Sequence, residues 1–496
     1  MHHRLFRTIL LMICLLGLVL LSRAQVAGAA THATHTWHSF QPSGHGTSIP
    51  KKVNTATMPQ VQGAGSQIQG AGLSGIVVQH TASSRRATVP APSNVVIVPA
   101  ATSTDSTAKP GFSGQGFKPD ANGAGGTLNY LETTNAALTI YGRGGKHQLT
   151  STYHAWFGTG TFFDPVTTWD STGSRFIFSV LQTGVPQIWL SVAQQTDATG
   201  SYCNYSFPTP SNHDFDKLGV DSDGIYFGFN VLDPSTGNVI GNELFFVSRV
   251  ALESGLTATY TNWTNLTNPD GTIAQAITPA RQDGSAAGVE YLVNSYPAGA
   301  CQLTLWTLTS SGTLSNITVP TQCYSPPTKA KQLGSAALID TGDCSITQAS
   351  YVNGLLTVDT PGDYDFGDGN GPVGIVEWYV LNPSTASIAS QGAFGTPGYW
   401  LFYPSTIKTP NGHMLFLYNA SGASIYPSVW HVNQTLTGTR ALVNGTSYFG
   451  TTGNSPWGDY QSAWPDSSVS PNSVWITGEY GKTSTTWGTK FNLIIP

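Results

Sequence analysis

Charge is the scarcest feature of this chain. Lys, Arg, Asp and Glu make up 9% of its 496 residues, against roughly 25% in an average soluble protein. The net charge of −5 is too mild to argue for nucleic acid or an anionic membrane as a partner. Only Arg143, Arg175, Arg249, Arg281 and Arg440 follow residue 117, and no S-x-D-x-G-x-T-W turn accompanies them. That counts against a sialidase-type site, which needs three arginines converging on one carboxylate. Paired CxxC motifs, a phosphate loop and a G-x-S-x-G elbow are all missing. Beyond the first thirty residues no apolar run is long enough to span a bilayer. Aromatics are plentiful, with 13 Trp, 20 Tyr and 21 Phe, so low charge here does not mean disorder.

The first 29 residues have the layout of a secretory signal peptide. Arg4 and Arg7 precede an apolar run from Ile9 to Leu21, and small residues follow. An uncleaved anchor is the competing reading. Cleavage would leave a secreted or cell-surface chain with no membrane span, expected as a monomer. It would also leave Cys203, Cys301, Cys323 and Cys344, for which three disulfide connectivities exist. Cys301–Cys323 is the expected pair, because the two flank what reads as one strand pair. Residues 30–115 are rich in Ala, Ser, Thr, Gly, Gln and Pro without sustained periodicity, and read as a flexible spacer.

From 116 to 496 the pattern is short aromatic and β-branched runs broken by Asp-Gly, Asn-Gly, Ser-Gly or Thr-Gly. SRFIFSVLQTG, GIYFGFNVLD, GIVEWYVLNP and VWITGEYG are examples. The expected class is all-β. Opening strands recur near Asp164, Asp214, Arg281, Gly334, Tyr403 and Asp459, at intervals that suit four-stranded propeller blades. Seven blades fit the spacing best, and six with an N-terminal closing strand is the alternative. In a propeller, the first strand of each blade lines the central channel. Asp164, Asp214 and Asp459 would then gather at one mouth, either capping backbone N–H groups of neighbouring strands or jointly binding a ligand or cation.

The loop DTPGDYDFGDGNGP, 359–372, offers Asp363, Asp365, Asp368 and Asn370 as oxygen ligands. Two readings stand: a structural calcium site and a solvated acidic turn. No catalytic residue can be assigned. The function expected is a non-enzymatic module binding an extracellular glycan or a surface protein. The alternative is a glycan-active enzyme, hydrolase or lyase, using channel-mouth carboxylates.

These motifs, taken in order, resemble a family of secreted bacterial β-propeller proteins. NGAGGTLNYLETTNAALTIYGRGGK, FDPVTTWDSTGSRFIF, LSVAQQTDATGSYCNYSF, DFDKLGVDSDGIYFGFN, IVEWYVLNP and SPWGDYQSAWPD with VWITGEY carry the resemblance over about 118–496. Asp216 departs from the Pro often found there, Gln194-Gln195 from a Ser-x-Thr pattern, and Trp464-Pro465-Asp466 from a V-D-P turn. The resemblance implies the fold and export, and it transfers no catalytic residue.

Overall fold

A computed structural model describes residues 36–59, 68–69, 89–115, 118–158, 160–183, 185–210, 212–282, 288–450 and 453–496. The signal-peptide segment, 1–29, lies outside the described residues. Strand dominates from His38 onward, and the fold is a β-propeller built from sets of antiparallel strands. Seven sets follow one another among the described residues. Blade 1 opens with Asn122–Gly125, blade 2 with Thr161–Asp170 and blade 3 with His213–Val220. Blades 4 to 7 open with Thr278–Pro279, Ala349–Val352, Tyr399–Lys408 and Ser462–Asp466. These opening strands touch in ring order, the last against the first, except that blade 4 meets Ala349–Val352 of blade 5 through Arg281–Gln282, just after its opening strand. The repeat expected at Gly334 is displaced. Ala330–Gln332 and Ser335–Ile339 form a separate small sheet with Asn454–Ser455, and the inner strand begins only at Ala349.

Each sheet is apolar on both faces, so the core lies between blades rather than inside any one of them. Ile188, Leu190 and Phe207 of blade 2 pack against Phe227 and Phe245 of blade 3. Tyr130 and Tyr141 of blade 1 meet Trp475 and Phe491 of blade 7. The rings of Tyr130 and Phe491 stack at 4.3 Å. Aromatic pairs of this kind add to the area they bury, which accounts for the abundance of Trp, Tyr and Phe. Cys301 and Cys323 form the expected disulfide, on neighbouring strands of blade 4. Cys203 and Cys344 are buried and not disulfide-bonded.

The flexible-spacer expectation for 30–115 needs correction over its described parts. Lys109–Gln115 is the fourth strand of blade 7, antiparallel to Thr486–Ile494. Upstream pieces lie along the outermost strands of other blades: His38–Phe40 on blade 4, Gly44–Ser48 on blade 3 and Lys51–Asn54 on blade 2. Ile68–Gln69 adds to blade 7, Val95–Ile97 to blade 5 and Ser103–Thr104 to blade 6. Main-chain pairing needs no apolar pattern in the added strand, so composition hid this belt. Its benefit is clear in physical terms, because it satisfies sheet edges that would otherwise invite pairing with other chains.

One ionic contact fastens the belt. Asp105 accepts hydrogen bonds from His431 Nε2 at 2.9 Å and Arg440 Nε at 2.7 Å, and its N–H donates to Ala441 O. Burial pushes its carboxyl up, but His431 and Arg440 outweigh burial and hold it below the ordinary value. Asp105→Asn is expected to lower stability by about 2–3 kcal/mol, less than for a fully buried pair because Arg440 is half exposed. A depressed carboxylate pKa stabilises above the unfolded value of about 3.9 and stops doing so below the folded one. The gap in urea midpoint between wild type and variant should therefore close as pH falls below the ordinary aspartate value.

Candidate functional site at the channel mouth

Three inner strands carry the same irregularity near their start. Register slips between Phe163 and Val166, Asp214 and Lys217, and Phe402 and Ser405. In each bulge one residue has a positive φ: Asp164 (52°), Phe215 (62°) and Tyr403 (45°). Asp120, just before the inner strand of blade 1, does the same at 48°. Aspartate accepts this left-handed backbone more readily than the bulky rings do. The bulges lie where the inner strands crowd together, and they bring their side chains to one mouth.

Asp164, Asp214 and Asp459 do meet there, and all three are buried. The carboxyls of Asp164 and of neighbouring Asp120 hold backbone N–H groups across blade boundaries. Phe215 N–H donates to Asp164 Oδ2 at 3.0 Å, joining blade 3 to blade 2. Asp164 N–H donates to Asn135 Oδ1 at 2.7 Å, joining blade 2 to blade 1. Asp459 N–H donates to Asp120 Oδ1 at 2.6 Å, joining the segment before blade 7 to blade 1. Lys118 Nζ reaches Asp459 Oδ2 at 2.6 Å. Gly458 has no room for a side chain, since a Cβ there would come within 2.5 Å of Glu479 and 2.8 Å of the Asp120 backbone.

Sequence reasoning missed Asp120, Asp216, Lys118 and Lys217. A signal existed: Lys217 stands inside the strand DFDKLGV in a chain with only 21 basic residues. Its ammonium lies 3.0 Å from the Phe215 ring centre and 4.6 Å from that of Tyr460. It donates to the carbonyls of Phe215 and Asp216 at 3.3 and 3.2 Å. Tyr460 of the blade 7 segment donates to Asp216 O at 3.1 Å, crossing to blade 3.

So many acids cannot all ionise in one dry place. Burial, with the charges of Asp214 and Asp459, pushes Asp164 well above the usual carboxylate range. Burial does the same to Asp120, helped by Asp164 and Asp459. Asp214 is pushed up to about 7 by burial, opposed by Lys118 and reinforced by Asp459. Asp216 is pushed up to about 7 by burial against the hydrogen bond from Ser179. Burial lowers Lys217 to about 8 despite the acids nearby. Lys118 goes the other way: burial works against its charge, but Asp459 and Asp120 hold the proton on.

Above this layer a shallow depression, with enclosed room for about one water, is lined by Phe215, Tyr403, Asp343, Ser345, Thr347 and Asp459, with Pro361 and Pro404. The segment between blades 4 and 5 supplies Asp343, whose Oδ1 accepts from Ser345 N–H at 2.7 Å. Gly342 (φ 71°) packs on the Tyr403 ring, 2.8 Å from where its Cβ would stand.

In the loop singled out for calcium the four side chains are held by hydrogen bonds of their own. Asp363 is buried and accepts from Ser325 Oγ at 2.6 Å. Asp365 accepts from Gly367 N–H at 2.8 Å, and Asp368 from Asn370 N–H at 2.9 Å and Asn370 Nδ2 at 3.1 Å. Among the described residues no three His, Cys, Asp or Glu side chains converge as metal ligands would. Of the strand glutamates, Glu479 joins the mouth by accepting from Gly458 N–H at 3.0 Å. Glu377 instead bonds Gln322 and Tyr379, and Glu290 bonds Gln282.

No protein-family model matches this chain, and neither does any curated protein. Among solved structures it is similar to a variant of the Synechocystis apocarotenoid oxygenase, with TM-score 0.36 and 9% identity over 77% of this chain and 89% of that one. It is also similar to an α-L-arabinofuranosidase from Fusarium graminearum in complex with an iminosugar inhibitor, with TM-score 0.37 and 9% identity over 66% and 92%. The WD40 domain of SCAP from fission yeast gives TM-score 0.33 and 11% identity over 74% and 82%. At such scores and identities nothing about activity passes to this chain.

Two measurements test this layer and the loop. Asp164→Asn keeps an acceptor for Phe215 N–H and tolerates the backbone, so its urea midpoint should correspond to a loss under ~1 kcal/mol. Asp164→Leu leaves that N–H without its partner in a strained backbone and should cost roughly 2–4 kcal/mol. Equal losses in the two would remove the capping role. A chelator should leave the melting temperature of the wild type unchanged, because the 359–372 turn is held by its own hydrogen bonds. A fall of several degrees would show that the loop holds a metal ion.

Proposed function

We propose that the protein is an exported, non-enzymatic carbohydrate-binding propeller whose ligand occupies the channel-mouth pocket. Export rests on the Arg4, Arg7 and Ile9–Leu21 pattern. Membership in the secreted propeller family that the motifs resemble belongs to the same proposal. The carrying observation is the division between the two layers. The deep carboxyls of Asp120 and Asp164 hold main-chain N–H groups, while the pocket above offers binding groups. Hydroxyls from Ser345 and Thr347 and carboxyls from Asp343 and Asp459 line it, with Phe215 and Tyr403 buried in its floor. Sugars present hydroxyl edges, which these hydroxyls and carboxyls fit by hydrogen bonding across the mouth.

A second reading has one observation in its favour: Asp343 and Asp459 line the same pocket. Two carboxyls flanking one bond are what a glycosidase needs. Against it, Asp459 is already committed to Lys118 at 2.6 Å.

A panel of soluble oligosaccharides assayed by calorimetry and by reducing-end release separates the two readings. Binding without turnover is expected, and Thr347→Ala or Asp343→Ala should weaken it about tenfold, the value of one lost hydrogen bond to a charged or polar group. Release of reducing ends that stops in both Asp343→Asn and Asp459→Asn would make the protein an enzyme. No binding to any sugar would overturn the proposal.

A further inference from the structure

Two lysines on the outer flank of blade 7 stand together without a counter-charge. The second strand of that blade is Ser470–Gly481, the third Thr486–Ile494 and the fourth Lys109–Gln115. Across them Tyr480 pairs with Gly488, and Gly488 with Ser113. Directly opposed residues of antiparallel strands share a face, so the tyrosine, the glycine and the serine form one row. Lys490 lies two residues beyond Gly488, on the same face. Lys482 flanks the other side of the row, where its Nζ donates to Ser113 Oγ at 2.9 Å. None of these residues belongs to the inner strand, Ser462–Asp466, so the row is distinct from the channel mouth.

A Cβ on Gly488 would stand 2.8 Å from the Tyr480 ring and 2.9 Å from its hydroxyl, so the glycine lets that hydroxyl lie in the row between the two lysines. Tyr480 and Lys490 are half-buried, and Lys482 is exposed. Burial and the charge of Lys482 push the Lys490 ammonium below its ordinary value, as like charges do to each other. Among the described residues no carboxylate lies within ion-pair distance of either lysine. Asp105, which Asn492 Nδ2 reaches at 3.5 Å, is already held by His431 and Arg440. A chain of net charge −5 has carboxylates to spare, and none is placed against this pair. Ammonium groups only donate hydrogen bonds, and the Ser113 and Tyr480 hydroxyls can donate as well. Such a donor set recognises an oxyanion through charge-assisted bonds.

We propose that this flank of blade 7 binds the carboxylate of an acidic sugar, such as a uronic-acid unit of a polysaccharide. Lys482 and Lys490 meet the carboxylate, with the Tyr480 hydroxyl beside it. Thr446, exposed and bonded through its Oγ1 to the Lys482 carbonyl at 2.8 Å, borders the site from the connection between blades 6 and 7. The inference rests on the carbohydrate-binding reading and narrows it to acidic polymers, with a contact outside the mouth.

The test is calorimetry on the full chain at about pH 7, where carboxylates and lysines are both charged. Three probes are compared: a galacturonic acid trimer, a neutral glucose trimer and inorganic sulfate. The acidic trimer should bind at least about tenfold more tightly than the neutral one. That margin should shrink as salt rises from ~50 to ~500 mM. Replacing both lysines, Lys482→Gln with Lys490→Gln, should bring the two trimers to within about threefold. The melting temperature should not fall, because the change removes a repulsion between like charges. Equal binding of the two trimers, or a preference surviving in the double variant, would overturn the acidic-sugar inference and leave the carbohydrate reading standing. Sulfate binding without binding of either trimer, or no binding at all, would overturn both.

Discussion

The pairing of Lys109–Gln115 with Thr486–Ile494 closes the circle, and the mouth depends on that closure. It joins the two ends of the propeller sequence, so that Asp120 comes within hydrogen-bond reach of Asp459, 339 positions further along. The aromatic contact among Tyr130, Tyr141, Trp475 and Phe491 forms behind the same seam. Without closure, blade 7 would lack its fourth strand and the carboxyls would lose the neighbours that shape their protonation. Pairing between distant segments pays its chain entropy in a single step, and the buried rings across the seam help to offset it.

Acids at the mouth serve geometry at an electrostatic cost. A carboxyl that caps a main-chain N–H in a crowded ring of bulged strands satisfies a buried donor that water cannot reach. Several such carboxyls together repel, and the molecule answers by retaining protons and inserting Lys118 and Lys217. The pocket above inherits both effects. Its floor is a set of cross-blade hydrogen bonds, and its charge is moderated by the retained protons and by Lys118.

The belt from His38 to Thr104 solves a separate problem. Every blade ends in an outer strand with unsatisfied main-chain groups, and the described belt strands cover six of those outer edges. A chain with few charged side chains has little of the edge protection that lysines supply. Covering edges with its own backbone is the alternative, and Asp105 anchors it through His431 and Arg440.

Strand-forming runs, turn residues and their spacing were enough to determine an all-β propeller, because alternation and Gly-rich turns are local properties that do not depend on distant contacts. The convergence of Asp164, Asp214 and Asp459 was legible for the same reason: equivalent positions in a radial repeat share one end of the axis. The Cys301–Cys323 bond was legible as well, because its partners flank one strand pair. Tertiary structure alone decided the rest. Belt pairing runs through main-chain groups that every residue carries, so no side-chain pattern marks it. Asp343 entered the pocket from a segment that continues no blade, and the displaced repeat near Gly334 arose from the small sheet it forms with Asn454–Ser455. Protonation at the mouth followed from burial and mutual distance, which exist only once the ring is closed.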